Sequence, residues 1–126
     1  MIYKYTGKPS KTQTFSTRYK AVTNARWTPP KSGLLMSKFY LNLDYKLKAG
    51  RETGTIRVRV VRESPNDPSA YQDFVVSKNG VTRSYLLTHV WFEVCEGGRP
   101  LHWEVRLSDD FEYGKGTTRY SGWALL

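Results

Sequence analysis

Internal disulfides, metal centres and membrane-spanning helices are all missing from this sequence. A single cysteine, Cys95, can close no bridge within the chain, and neither cysteine nor the two histidines cluster at metal-ligand spacing. There is no run of about 18 apolar residues, so no helix is expected to cross a membrane. Met1-Ile2-Tyr3-Lys4 leads into no apolar stretch of the kind a secretory leader carries, which points to synthesis in a cytosol. No segment reads convincingly as a helix. Acidic residues are also absent before Asp44, and this last absence shapes the whole molecule.

What is present fits one globular domain. The chain has 126 residues, 39% apolar and 14% aromatic, enough to bury a core without staples and too rich for a disordered protein. Its formal net charge of +9 is unevenly placed. Fourteen Lys and Arg precede Glu63 against two acids, Asp44 and Glu52; from Glu63 onward six Lys and Arg face nine acids. A molecule polarised in this way suits head-to-tail contact with copies of itself or with an acidic neighbour. Nucleic-acid binding is a second reading of a basic half. A solvated positive surface with no specific partner is the third.

Residues 1–32 are the least patterned part, basic and rich in Thr, Ser and Lys, with Pro9, Pro29 and Pro30. Thr12 to Val22 can pair as a strand, and residues 1–20 read as an extended basic arm carrying Lys4, Lys8, Lys11 and Arg18. From Leu35 alternation takes over. Leu35, Phe39, Leu41, Leu43, Tyr45 and Leu47 share one parity while Met36, Lys38, Tyr40, Asn42, Asp44 and Lys46 take the other, the mark of a half-buried strand. Ile56, Val58 and Val60 alternate with Arg57 and Arg59, giving a second strand with one apolar and one basic face. Ser64-Pro65-Asn66-Asp67-Pro68 stops it as a rigid corner, since proline cannot donate to a ladder and Asn and Asp favour turns.

A short strand follows at Tyr71–Ser77, with a hairpin signal at Asn79-Gly80. Val81–Cys95 reads as a central strand, apolar on both faces, with a bend or bulge expected near Thr88. Leu86, Val90, Phe92 and Val94 make one of its faces, and Trp91 falls on the other. Leu101, Trp103, Val105 and Leu107 mark the next strand, Ser108–Gly116 reads as a loop and Thr117–Leu126 as the last strand. Seven or eight strands with turns between them and no crossover helix predict an all-β fold. The expected architecture is a single antiparallel β-sandwich, jelly-roll-like, led by the basic arm.

No reaction centre accompanies this architecture. His89 and His102 sit on separate strands and read as plain strand residues. Asp109, Asp110 and Glu112 could offer oxygens to calcium, but the spacing of a calcium loop is absent and a solvated acidic loop explains them. Glu93 and Glu104 stand on strands expected to pair, yet nothing marks either as the perturbed acid of a glycosidase. Gly97-Gly98 and Gly114-Lys115-Gly116 lead into no helix with a phosphate-loop pattern. Cys95 closes an apolar strand and reads as an inert thiol. The protein is therefore not expected to be an enzyme, and no catalytic, metal or cofactor residue is assigned. Lys38 and Tyr40 on one strand with Arg57 and Arg59 on the next bring basic and aromatic side chains together, yet no RNP, KH or zinc signature supports RNA or DNA. Trp91 and Tyr40 lie on the less apolar faces, where they can stack on a sugar or pack against another subunit.

Three segments resemble the small β-sandwich minor tail proteins of long-tailed phages that infect actinobacteria. They are Ile56–Phe74 (IRVRVVRESPNDPSAYQDF), Leu86–Arg106 (LLTHVWFEVCEGGRPLHWEVR) and Thr118-Arg119-Tyr120. The resemblance covers roughly residues 27–126, and residues 1–26 match nothing in it. It implies a non-catalytic virion structural protein, made in the host cytoplasm and present in several copies on a tail. Its implied partners are other virion proteins and copies of itself, with no cofactor and no membrane. Capsid decoration is a neighbouring role in the same class. A carbohydrate-binding module that attaches the particle to a host glycan is the alternative from another class, and nucleic acid is not favoured. The interaction residues that follow are Lys4, Lys8, Lys11 and Arg18 in the arm, Lys38, Tyr40 and Trp91, and the pair Arg57 and Arg59, expected to meet a neighbouring subunit.

Overall fold

The computed structural model describes residues 2–6, 11–23, 26–68, 71–78 and 83–125; the side chains of 2–6, Ser37, 83–93 and 122–125 lie outside that description, as does the expected Asn79-Gly80 hairpin. Ten strands run through these residues: β1 (Ile2–Thr6), β2 (Gln13–Phe15), β3 (Lys20–Ala21), β4 (Gly33–Leu47), β5 (Thr53–Arg62), β6 (Asp67–Pro68), β7 (Gln72–Ser77), β8 (Arg83–Cys95), β9 (Leu101–Leu107) and β10 (Phe111–Leu125). Eight of them have three residues or more, in line with the seven or eight expected. Sheet A has the order β1-β10-β4-β8, with β2 also on β10; sheet B has the order β3-β9-β5-β6, with β7 also on β5. Every pairing among them is antiparallel. With β1 and β2 taken as one interrupted strand on β10, and β6 and β7 as another on β5, four strands fall on each sheet, which is the double-sheet arrangement of a jelly roll.

Alternation builds the core. β4 buries Leu35, Phe39, Leu41, Leu43, Tyr45 and Leu47, β5 buries Ile56, Val58 and Val60, and β9 buries Leu101, Trp103, Val105 and Leu107. These rows face each other, and the sheets interlock where Trp103 stacks on Phe39 with ring centroids 4.9 Å apart and leans on Tyr120 at 5.6 Å. Each fully buried side chain of this size contributes about 1.5–3 kcal/mol of transfer free energy.

Three expectations are refined by the register and the burial. The last strand starts at Phe111, so Gly114 and Gly116 are strand residues where a loop was expected. Their glycines answer close packing: a Cβ on Gly114 would lie 2.6 Å from Leu107 Cδ1, and one on Gly116 would run into the Asn42 carbonyl. On β8 the pairing with β4 runs without a break from Gly33↔Cys95 to Tyr45↔Arg83, so there is no bulge near Thr88; the irregularity falls on β10 between Phe111 and Tyr113. At the end of β8 Cys95 is buried while Val94 is 64% exposed, the reverse of the parity that the apolar pattern suggested. An apolar residue on an outward position is invisible to a pattern that assumes apolar means inward.

The basic arm is extended, as expected, and it lies on its own sheet. β1 and β2 pair along one side of β10, from Ile2↔Leu125 to Phe15↔Gly114, and Phe15 is buried. An alternating strand can bury one apolar side chain and leave lysines in water, so basic composition does not keep the segment off the protein. The corner after β5 is also fixed. Ser64 takes a left-handed φ of 62°, the Ser64–Pro65 bond is cis, and Arg99 donates to the Glu63 and Pro65 carbonyls at 2.9 and 2.6 Å.

Candidate functional site on the outer face of sheet B

The parity that buries Ile56, Val58 and Val60 turns Arg57 and Arg59 outward, and on β9 it turns out His102, Glu104 and Arg106. Register then sets Arg59 opposite Glu104, Val61 opposite His102 and Arg57 opposite Arg106. A row of paired charges results. Arg59 donates to Glu104 Oε1 from Nη2 at 2.7 Å and from Nε at 2.8 Å. His102 sits between two carboxylates, Nε2 3.0 Å from Glu104 Oε2 and Nδ1 2.9 Å from Glu63 Oε2. Arg26 ends the row, with Nε 3.1 Å from the same Glu63 oxygen.

These contacts set the ionisation of the acids. Hydrogen bonds from Arg26 and then His102 hold the Glu63 carboxyl below the usual carboxylate range. Burial alone would push Glu104 up, but the hydrogen bonds from His102 and Arg59 outweigh it and the carboxyl is also held low. Neither acid is poised as a proton donor near neutral pH. Beside this row, Arg57 grips Asp73 with two bonds of 2.8 and 3.0 Å, and its guanidinium lies 3.6 Å from the Tyr71 ring centroid. Asp73 raises the already high Arg57 pKa further, so that charge is permanent. Tyr19 covers Arg59 from outside, its ring centroid 3.6 Å from the guanidinium.

The residues proposed from sequence do not converge on one surface. Lys4 stands in β1 opposite Trp123, Lys8 lies outside the described residues, and Lys11 and Arg18 are exposed. Lys38 and Tyr40 point outward from sheet A, whereas Arg57 and Arg59 point outward from sheet B, so the two pairs occupy opposite sides of the sandwich. Tyr40 carries the Arg119 guanidinium 4.8 Å from its ring centroid. Trp91 pairs in register with Ser37 on β4, and its side chain lies outside the described residues. Glu93 and Glu104 are on β8 and β9, which belong to different sheets and do not pair as expected.

Arg57 and Arg59 are thus answered within the chain, and His102, Glu104, Glu63, Tyr19 and Arg106 are the site residues that sequence reasoning passed over. Their signal was available as the alternation of His102, Glu104 and Arg106, but only a known register would have set it against Arg57 and Arg59. The acidic loop is likewise committed. Asp109 pairs with Lys48 at 2.9 Å, which lowers its pKa, and Asp110 pairs with Arg51 at 3.2 Å. Among the described residues no cluster of three or more His, Cys, Asp or Glu is placed to hold a metal ion.

No family model matches the chain, and a search of curated proteins finds no similar sequence. Solved structures are similar in fold. Eiger TNF from S. frugiperda superposes with a TM-score of 0.54 at 8% identity, covering 100% of this chain and 92% of that one. A chain of infectious bursal disease virus, Gx strain, gives 0.51 at 8% identity and covers 99% of this chain, which spans only 32% of the viral one. At this identity the likeness is one of fold, and it agrees with the jelly-roll topology read from the strand order.

Proposed function

We propose that the protein is a structural subunit of a virion, assembling in several copies with itself and with other virion proteins and catalysing no reaction. The observation that carries this reading is an uncovered apolar pair at the edge of sheet A. Leu34 and Val94 are direct cross-strand partners, 46% and 64% exposed, with half-buried Met36 beside them. They lie on and beside β8, which among the described residues has β4 on one side and no strand on the other. Near this edge Arg62 donates to the Val94 carbonyl at 3.0 Å. An apolar pair next to an open strand edge favours contact with another protein surface.

The fold supports the reading in a second way, because a jelly roll of this kind also occurs in a virus particle protein. Within that class the finer proposal is a minor tail protein of a long-tailed phage, resting on the segments Ile56–Phe74 and Leu86–Arg106; its location is then the assembled virion. Mass spectrometry of purified particles tests the class, and immunogold labelling tests the place. The protein is expected in stoichiometric amounts, with label on the tail. Absence from particles would sink the virion reading, and label on the head would move the protein to the capsid decoration role.

A further inference from the structure

We propose that the outer face of sheet B carries an oxyanion-binding site between Arg57 and Arg106. Register sets these two residues directly opposite each other on β5 and β9. Like charges so placed destabilise a sheet unless something answers them. Arg57 is answered within the chain by Asp73. Among the described residues Arg106 meets no carboxylate. Its guanidinium lies 5.4 Å from the Tyr19 ring centroid, and that ring is closer to Arg59. The nearest outward acid on its own strand, Glu104, is already held by Arg59 and His102.

Between the two arginines opens a depression of about 180 Å³, completed by Asp73, Thr55 and Ser108. That volume suits a carboxylate, sulfate or phosphate group and falls short of a site for a larger organic ligand. One wall is pre-set, because Asp73 and the Tyr71 ring hold the Arg57 guanidinium. Ser108 is fixed as well, its Oγ accepting from the Thr55 amide at 3.0 Å and donating to Asp110 at 2.6 Å. Half-buried Arg106 supplies the other wall with a forked set of donors matched to oxyanions. Two cations and one resident acid leave one positive charge, which a monoanion neutralises. The inference stands whether or not the protein belongs to a virion.

The test is an NMR titration of the full chain with inorganic phosphate, sodium acetate and sodium chloride at matched ionic strength. Phosphate or acetate is expected to shift the Arg57 and Arg106 Nε–Hε signals saturably, and chloride is not. Arg106→Gln should weaken that saturation by about tenfold or more without lowering the melting temperature, and Arg106→Lys should retain part of it. Tighter binding of phosphate identifies a phosphate or sulfate group as the occupant. Tighter binding of acetate identifies a carboxylate, as an acidic side chain of an adjoining protein would present. Shifts that never saturate, or that saturate equally in Arg106→Gln, overturn the proposal.

Discussion

Sheet B answers most of its outward charges inside the chain, Arg57 with Asp73, Arg59 with Glu104 and Arg62 with Asp67, whereas sheet A turns Leu34 and Val94 side by side to solvent. The inner faces follow one rule, period-two burial around Phe39 and Trp103. The outer faces therefore carry the difference in purpose. A face whose ions are already paired gains little from a new partner, because each pair must be broken before it can be traded. A face with an apolar pair beside an open edge gains from being covered.

The largest test of this contrast removes the element both sheets share. Trp103→Ala should cost about 3–5 kcal/mol in chemical denaturation, since the ring packs from sheet B against both Phe39 and Tyr120 of sheet A. A cost below about 1 kcal/mol would show that the sheets are not coupled through it. Next, Gly116→Ala should cost about 1–3 kcal/mol and loosen sheet A selectively, because the added carbon meets the Asn42 backbone. Hydrogen exchange should show faster opening of β4 and β10 than of β5 and β9.

A smaller effect belongs to sheet B. Glu63 and Glu104 have folded-state pKa values below the usual 4.5, so they stabilise the fold above that pH. The stabilisation is lost as pH falls from about 4.5 through the lower folded values. Glu104→Gln should cost about 1–2 kcal/mol at neutral pH and flatten the acid limb of the stability curve. An unchanged acid limb would remove the row from the stability of sheet B. The smallest effect on stability is expected at sheet A's edge. Leu34→Ser with Val94→Ser should change stability by less than about 0.5 kcal/mol while abolishing concentration-dependent association in light scattering. Association that survives both changes would assign the contact to another surface.

Much of the core was legible. The parity of β4, β5 and β9 follows from β-branched, aliphatic and aromatic residues alternating with polar ones, and burial enforces that pattern directly. β8 was not legible, because apolar residues on both parities leave the inward face undecided until Cys95 is seen buried and Val94 exposed. Gly114 and Gly116 looked like turn residues, since close approach by a neighbouring strand leaves no mark in the chain's own pattern. The charged row was hidden for the same reason. Arg59, His102, Glu104, Glu63 and Arg26 come from three segments, and only register and the corner at Ser64 bring them together. Arg57 and Arg59 do turn outward as their alternation indicates, but acids supplied from β7 and β9 change what that face offers.

The position of β10 has a consequence for how the molecule is made. This strand holds residues 111–125, yet it sits inside sheet A, between β4 on one side and β1 and β2 on the other. Until it emerges from the ribosome, the opening strands have no ladder to join and the inner edge of β4 stays open. Among the described residues every strand of sheet B precedes β10, since β9 ends at Leu107. Before β10 is made, a nascent chain is thus half assembled, with Phe39 and its neighbours lacking their Tyr120 cover and a strand edge ready to pair wrongly. Copies cut short before Phe111 should aggregate during synthesis rather than accumulate as small folded domains.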